Sequence, residues 1–363
     1  MDGKTIDQKY LLGPLLGAGG MGAVYQAQHQ GTLRQVALKL IRKGHGATNR
    51  EALRRFRREA RAIGSLNSPH IIQVLDAGED KETGDPYLVM ERLLGEDLER
   101  LVERVGPLPP EVAIRIAGQA LIGLVSAHAA GIIHRDLKPA NLFLARQDDG
   151  TVTVKLLDFG IAKVLASSAN APSTDALTST GGMLGSLLYM SPEQVESSKN
   201  VDPRTDVWSL ASVIYYALAG VAPHQQVPTL SKLIIAICSS PAPPLRDRAP
   251  WVWPKIAQVV HEALAIDPAQ RTPSAAVMLA SIRSLAAAGF ALRQEMLAGI
   301  PPEQRAAGST KQAVIEVTKT HTIIGDETTY PISFLAQEAP EPPSDRAPEE
   351  SQPHGGGDRS AKG

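Results

Sequence analysis

The sequence holds a single cysteine, Cys238, among 363 residues. One thiol cannot close an internal disulfide and cannot build a Cys-rich zinc site, so a reducing compartment suits the chain. An excess of charge of one sign is also missing: 37 basic and 38 acidic side chains leave a formal net charge of −1. That balance excludes a protein held to nucleic acid or lipid headgroups by bulk charge. Long apolar runs are scarce. The most apolar stretch, LASVIYYALAGV from Leu210 to Val221, is too short for roughly 30 Å of hydrocarbon and reads as a helix buried in a large core. The opening residues MDGKTIDQKY lack a basic start followed by an apolar run, so no signal peptide is expected. No internal repeat is visible. These absences predict a cytoplasmic protein with no transmembrane segment and no nucleic-acid partner. The length predicts two lobes or domains with ample core.

The chain changes texture near residue 94. Before it, Tyr10 to Leu16, Ala23 to His29 and Gln35 to Ile41 read as strands. Arg50 to Leu66 follows as a helix, because Leu53, Phe56, Ala60 and Ile63 recur at spacings of three and four. Two more strands, His70 to Ala77 and Tyr87 to Leu93, flank the polar loop EDKETGD. Beyond Leu94-Gly95 helices dominate, beginning with Pro109 to Ala130, which opens at a Pro-Pro pair and stops before Gly131. A small hairpin, Asn141 to Ala145 and Thr151 to Leu157, turns at Asp148-Asp149-Gly150. Leu165 to Gly182 has no period and reads as a loop. The stretch from Pro301 ends PEPPSDRAPEESQPHGGGDRSAKG, which cannot bury enough apolar surface to offset the entropy of ordering. The expected layout is α+β: a small β-rich lobe with one helix over residues 10–93, a larger mostly helical lobe over 94–290, and a largely disordered C-terminal tail over 291–363.

Several segments carry chemistry. Gly17, Gly19 and Gly22 in GAGGMGAV join two strands, where glycine lets backbone N–H groups approach a phosphate closely. Because Ala23-Val24-Tyr25 continues as strand rather than helix, a dinucleotide fingerprint is disfavoured. Lys39 stands inside the apolar strand VALK, and burying its ammonium requires a partner. The following helix offers Glu59 beside its buried stripe. HRDLKPAN, from His134 to Asn141, packs an acid, a base and an amide into one loop, and DFG places Asp158 at a strand end. Asp and Asn oxygens suit Mg²⁺, which shares its ligands with substrate phosphates.

With GAGGMGAV, VALK, Glu59, HRDLKPAN, DFG, MSPE at Met190 to Glu193, Asp206-Val-Trp-Ser and Arg271 in this order, the chain resembles the eukaryotic-like (Hanks-type) serine/threonine protein kinases of bacteria. The resemblance spans roughly Tyr10 to Ala288 and implies a bilobal protein-kinase fold. It implies that Leu16, Gly17, Gly19, Gly22, Val24, Ala37, Lys39, Met90, Glu91, Leu93, Asp97 and Phe143 bind ATP. Lys39 would hold the α and β phosphates while pairing with Glu59. Glu91 and Leu93 would offer hinge backbone groups, Met90 would be the gatekeeper, and Asp97 would contact the ribose. Asp136 would be the catalytic base and Lys138 would steady the γ-phosphoryl group. Asn141 and Asp158 would bind Mg²⁺, or Mn²⁺ in its place.

The resemblance also implies protein substrates with Ser or Thr acceptors, since Lys138 in an HRDLKxxN loop is the serine/threonine pattern. Glu193 and Arg271 would form a buried ion pair, and Asp206 would hold the catalytic-loop backbone. Ser186 stands where threonine is usual and keeps the hydroxyl; Ala211 stands where glycine is usual and touches packing only. Arg135 beside the catalytic aspartate implies activation-loop phosphorylation, with Thr178 and Thr180 as acceptors and self-association for autophosphorylation in trans. Two other readings compete: a catalytically inactive kinase-like scaffold that binds nucleotide or partners, and a small-molecule phosphotransferase. The complete set Lys39, Glu59, Asp136, Asn141 and Asp158 counts against the first. Lys138 and the long segment ending at Glu193 count against the second.

Overall fold

A computed structural model describes residues 3–19, 22–41, 50–159, 185–197 and 201–305. The first layer is a six-stranded antiparallel sheet in the order β1-β2-β3-β4-β6-β5, made of β1 Thr5–Ile6, β2 Tyr10–Gly19, β3 Gly22–His29, β4 Gln35–Ile41, β5 Val74–Glu79 and β6 Pro86–Glu91. Helix α1, Arg50–Gly64, packs on β5. Strand alternation sorts the side chains of this sheet onto two faces. Val36 and Leu38 of β4 and Tyr87 and Val89 of β6 join a small outer cluster with Ile6, Tyr10 and Leu12. Their sequence neighbours Ala37, Ile41, Leu88 and Met90 belong to the main core instead. Lys39 shares the parity of Ala37 and Ile41, so its stem lies on the core-side face.

A second, four-stranded sheet, β10-β9-β8-β7, begins the larger lobe with β7 Gly95–Asp97, β8 Leu142–Arg146, β9 Thr151–Leu156 and β10 Leu292–Arg293. The helices are α2 Leu98–Val105, α3 Pro110–Ala129, α4 Pro192–Glu196, α5 Arg204–Ala219, α6 Leu230–Ser239, α7 Leu245–Arg248, α8 Pro254–Ala263 and α9 Ala275–Leu285. Helix α5 is buried along nearly its whole length, from Thr205 to Leu218, and α3, α8 and α9 pack on it. The apolar stretch from Leu210 is therefore the central core helix that its composition requires.

Besides the stretch from Leu210, α3, Pro110–Ala129, is long and apolar enough to cross a bilayer by length and composition. Within the fold 67% of its apolar stretch is buried, against α5, α9 and β9. One expectation is corrected: the tail does not begin at 291. Residues 289–305 form a strap over the large lobe. In it Leu292 and Arg293 pair with Val152 and Thr151, and the Gln119 side chain donates to the Phe290 carbonyl at 2.8 Å. Arg115 donates to the Ala291 carbonyl at 2.6 Å. Phe290 lies so close to Gly118 that a Cβ there would collide with its ring. Thr178 and Thr180, Gly160 and residues 306–363 lie outside the described residues.

Candidate active site

The site forms where the two sheets meet. Its roof is the β2–β3 hairpin, paired Gly17 to Val24, Ala18 to Ala23 and Gly19 to Gly22. Gly22 has φ 153°, and a Cβ there would run into the Leu40 carbonyl oxygen, so the register against β4 requires glycine. A Cβ at Gly17 or Gly19 would meet nothing within 4 Å, which leaves open space over the cleft. Val24 stands opposite Lys39 and Ala37 opposite Met90, and Lys39 is in turn opposite Leu88. Cross-strand neighbours share a face, so Val24, Ala37, Lys39, Leu88 and Met90 make one patch above the cleft. Leu16 is exposed at its lip. The floor is supplied by Phe143 of β8, opposite Asp97 on β7 and Lys155 on β9. Glu91, Leu93 and the short run to Gly95 join the two sheets. Asp97 caps α2, its Oδ1 accepting from the Arg100 N–H at 2.9 Å.

Lys39 is 8% exposed, and a buried ammonium needs a counter-charge. It has one, though not the expected one. Its Nζ lies 2.6 Å from Asp158 Oδ1, and among the described residues no ion pair joins it to Glu59. Glu59 sits half-buried on α1 instead. Burial pushes its carboxyl above the usual range, opposed by the charges of Arg135, Arg58 and Arg55. The correction is physical: α1 sets the Glu59 carboxylate in the field of Arg135, while Asp158 comes to Lys39 from the end of β9.

The catalytic loop is held from below. Asp206, wholly buried on α5, accepts from the backbone N–H groups of His134 and Arg135 at 2.8 and 2.9 Å and from His128 Nε2 at 2.8 Å. His134 is buried too. Burial holds its imidazole below the ordinary value, its Nε2 bonds the Leu157 carbonyl at 2.8 Å, and its ring lies 4.4 Å from that of Phe159. Arg135 and Asp158 adopt positive φ, 62° and 53°, a conformation that non-glycine residues hold only when their surroundings fix it. These fixtures gather the reactive groups. Lys138 Nζ lies 3.4 Å from Asp136 Oδ2 and 3.0 Å from Ser186 Oγ. Asn141 Nδ2 donates to the Asp136 carbonyl at 2.7 Å and to its carboxylate at 3.2 Å. The Asn141 carbonyl in turn accepts from the Leu157 N–H at 2.9 Å, one residue before Asp158.

A buried acid under a loop that unites carboxylate, ammonium and amide, beside a lysine–aspartate pair and a glycine-rich roof, is one connected arrangement. It coincides with a match to the protein kinase domain over residues 10–281. The chain belongs to that family. It is 36% identical over 284 residues to the serine/threonine-protein kinase pkn3 of Myxococcus xanthus, covering 78% of this chain and 51% of that protein. It is 38% identical over 279 residues to the serine/threonine-protein kinase PknB of Mycolicibacterium smegmatis, covering 76% of this chain and 43% of the relative. Against the serine/threonine-protein kinase PknL of Mycobacterium tuberculosis the identity is 35% over 286 residues, covering 79% and 68%. The chain thus spans 51% and 43% of the length of the first two curated relatives. The crystal structure of the Mycobacterium tuberculosis PknI kinase domain superposes with a TM-score of 0.58 at 29% identity, covering 78% of this chain and 98% of that one. The fold is the protein-kinase fold.

Around this site, further contacts fix helix α4. Arg271 NH1 and NH2 bond the two Glu193 oxygens at 2.7 and 3.0 Å. Burial pushes the Glu193 carboxyl up, but the hydrogen bond and charge of Arg271, with hydrogen bonds from the Glu193 backbone and Thr205, together bring it below the ordinary value. Gln194 Nε2 donates to the Arg135 carbonyl at 2.9 Å and so ties α4 to the catalytic loop. Sequence reasoning missed Gln194 and His128. Each is a lone polar residue on a helix, with no spacing to single it out.

Proposed function

We propose that the chain is a serine/threonine protein kinase that transfers the γ-phosphoryl group of ATP to Ser or Thr hydroxyls of protein substrates. The contact of Lys138 and Asn141 with the Asp136 carboxylate, at 3.4 and 3.2 Å, carries the proposal, because it places a proton acceptor among groups suited to bind phosphoryl oxygens. Adenine would lie between Val24 and Ala37 above and Phe143 below, with backbone bonds to Glu91 and Leu93, Met90 behind and Asp97 near the ribose. Lys39 would hold the α and β phosphates.

Asp136 would accept the acceptor hydroxyl's hydrogen bond and take its proton as the new O–P bond forms and the β–γ bridging bond breaks, releasing ADP. Lys138 would steady the moving group and preserve in-line alignment. The oxygen donors of Asn141 and Asp158 fit Mg²⁺ or Mn²⁺. Among the described residues no group of three or more His, Cys, Asp or Glu could hold a metal, which suits an ion shared with a nucleotide's phosphates rather than a dedicated protein cage. When bound, such a metal supplies charge neutralisation to the phosphates.

Regulation by phosphorylation of Thr178 and Thr180, after self-association, belongs to the same proposal. So does a cytoplasmic location, which rests on the lone Cys238. Incubating the pure chain with labelled ATP, Mg²⁺ and a generic protein acceptor, beside Asp136→Asn, tests the activity. Label on serine or threonine from the first and not the second is expected; no label from the unaltered chain overturns the proposal. Undiminished activity of a Thr178→Ala, Thr180→Ala chain after preincubation with ATP would sink the regulatory part.

A further inference from the structure

One ion pair at the meeting of the two sheets takes no part in the chemistry above. Glu91 is the last residue of β6, where the chain leaves the small lobe. Its Oε1 accepts from Lys155 Nζ at 2.6 Å and from the Gln73 N–H at 2.9 Å, while its own N–H donates to the Gln73 carbonyl at 3.0 Å. Both side chains are largely shielded, 21% exposed for Glu91 and 13% for Lys155. A single carboxylate thus joins the hinge, the segment leading into β5, and β9 of the large lobe.

The same stretch is fastened to β9 by backbone. Ile71 bridges to Leu156. The Ile72 N–H donates to the Leu156 carbonyl at 3.0 Å, and the Leu156 N–H to the His70 carbonyl at 2.9 Å. Lys155 lies opposite Phe143, which lies opposite Asp97, so the three share one face of the second sheet. The clasp is therefore built beside the surface that would floor the adenine, and its other end is the residue whose backbone would bond the base.

We propose that Lys155 is a positioning residue: through Glu91 it fixes the hinge against the Phe143 floor, so that the adenine subsite is formed before nucleotide arrives. This rests on the nucleotide reading given above. A preformed subsite binds without the entropy cost of ordering it, and a charge-assisted hydrogen bond inside a shielded pocket holds its geometry better than a neutral one. The triphosphate is bound elsewhere, by Lys39 and the roof, and does not feel the clasp.

The test compares ADP with inorganic tripolyphosphate as ligands, measured calorimetrically on the full chain. For Lys155→Met, ADP affinity should fall about five- to tenfold, with tripolyphosphate affinity unchanged. Glu91→Gln should behave alike, and the exchange Glu91→Lys with Lys155→Glu should recover part of the loss. Kinetically, KM for ATP should rise while kcat holds. Equal weakening of both ligands, or no weakening of ADP, overturns the proposal. Should Lys155→Met not fold, Lys155→Arg, which keeps the charge, must retain ADP affinity within about twofold, and a larger loss overturns it as well. If the unaltered chain binds neither ligand, the nucleotide reading itself fails, an outcome distinct from a clasp that does nothing.

Discussion

Replacing Arg271 by alanine should be one of the most damaging single changes in the large lobe. The guanidinium bonds both Glu193 oxygens, at 2.7 and 3.0 Å, and the carbonyls of Ala265, Arg204 and Ile266 at 3.0, 3.1 and 3.2 Å. It also lies 5.1 Å from the centre of the Trp208 ring. Its removal leaves the Glu193 carboxylate, 20% exposed, with the Thr205 hydroxyl at 2.8 Å in place of a cation. Breaking one half of a shielded ion pair costs about 3–5 kcal/mol, which for a chain of this size lowers the melting midpoint by roughly 5–8 °C.

The dependence on pH carries a sign. The folded Glu193 pKa lies below its unfolded value of about 4.3. Its contribution is therefore fully present above that value and is lost as pH falls through the folded pKa. Scanning calorimetry on both proteins from pH 7 downwards should show a wide gap that narrows below about pH 4. A gap under about 2 °C at pH 7, or one that widens on acidification, would refute the reasoning.

Lys39→Met should lower kcat by about 10²–10³ while leaving the melting midpoint within a few degrees, read by phosphate-transfer assay and calorimetry; retention of more than a tenth of the activity counts against its assigned role. A chain ending at Ala288 loses the burial of Leu292 and Ile300, 2% and 4% exposed, worth about 1.5–3 kcal/mol each, so its melting midpoint should drop by about 5 °C or more. An unchanged midpoint would show the strap to be ornamental. At the other end of the chain, the Asp7 carboxyl is held below the usual range by its bond to Lys9, against the opposing cost of burial. Asp7→Asn should therefore cost stability at pH 7 and lose its effect as pH falls below about 3.9, which acid titration of the urea midpoint would check.

What the sequence made legible was whatever a local rule controls. The spacing of Leu53, Phe56, Ala60 and Ile63 foretold α1, and Phe56, Ala60 and Ile63 are indeed buried. The apolar strand VALK predicted a lysine shielded from water that needs a partner, and Lys39 is 8% exposed and paired with Asp158. What escaped was set by partners distant along the chain. Strand β1 is only Thr5–Ile6, too short for periodicity, and it exists because β2 offers an edge and because Asp7 binds Asp80 and Tyr87 at 3.0 Å each. Helix α2 has Leu98, Leu101 and Val102 buried at helical spacing, a signal overshadowed by the longer pattern that follows. The strap was lost because AAAGFALRQEM resembles a linker until Gln119 and Arg115 are seen to hold its carbonyls. The pair that Lys39 makes in this structure, with Asp158 at 2.6 Å, joins residues far apart along the chain and left no local signal.

That choice has a consequence for how the cleft must work under the proposed function. One ammonium is available to Asp158, to Glu59 and to a polyphosphate. In the structure Asp158 holds it through Oδ1, and the aspartate side chain is 39% exposed. Glu59 is half-buried, and burial raises its carboxyl against the opposing charges of Arg135, Arg58 and Arg55. Phosphates entering under the glycine roof bring several negative charges to Lys39, and in a shielded site these attract it more strongly than one carboxylate does. Under the proposed function, the weaker hold on Asp158 would then free its carboxylate for the ion that travels with the phosphates. Nucleotide and metal would thereby favour each other's binding through a single lysine.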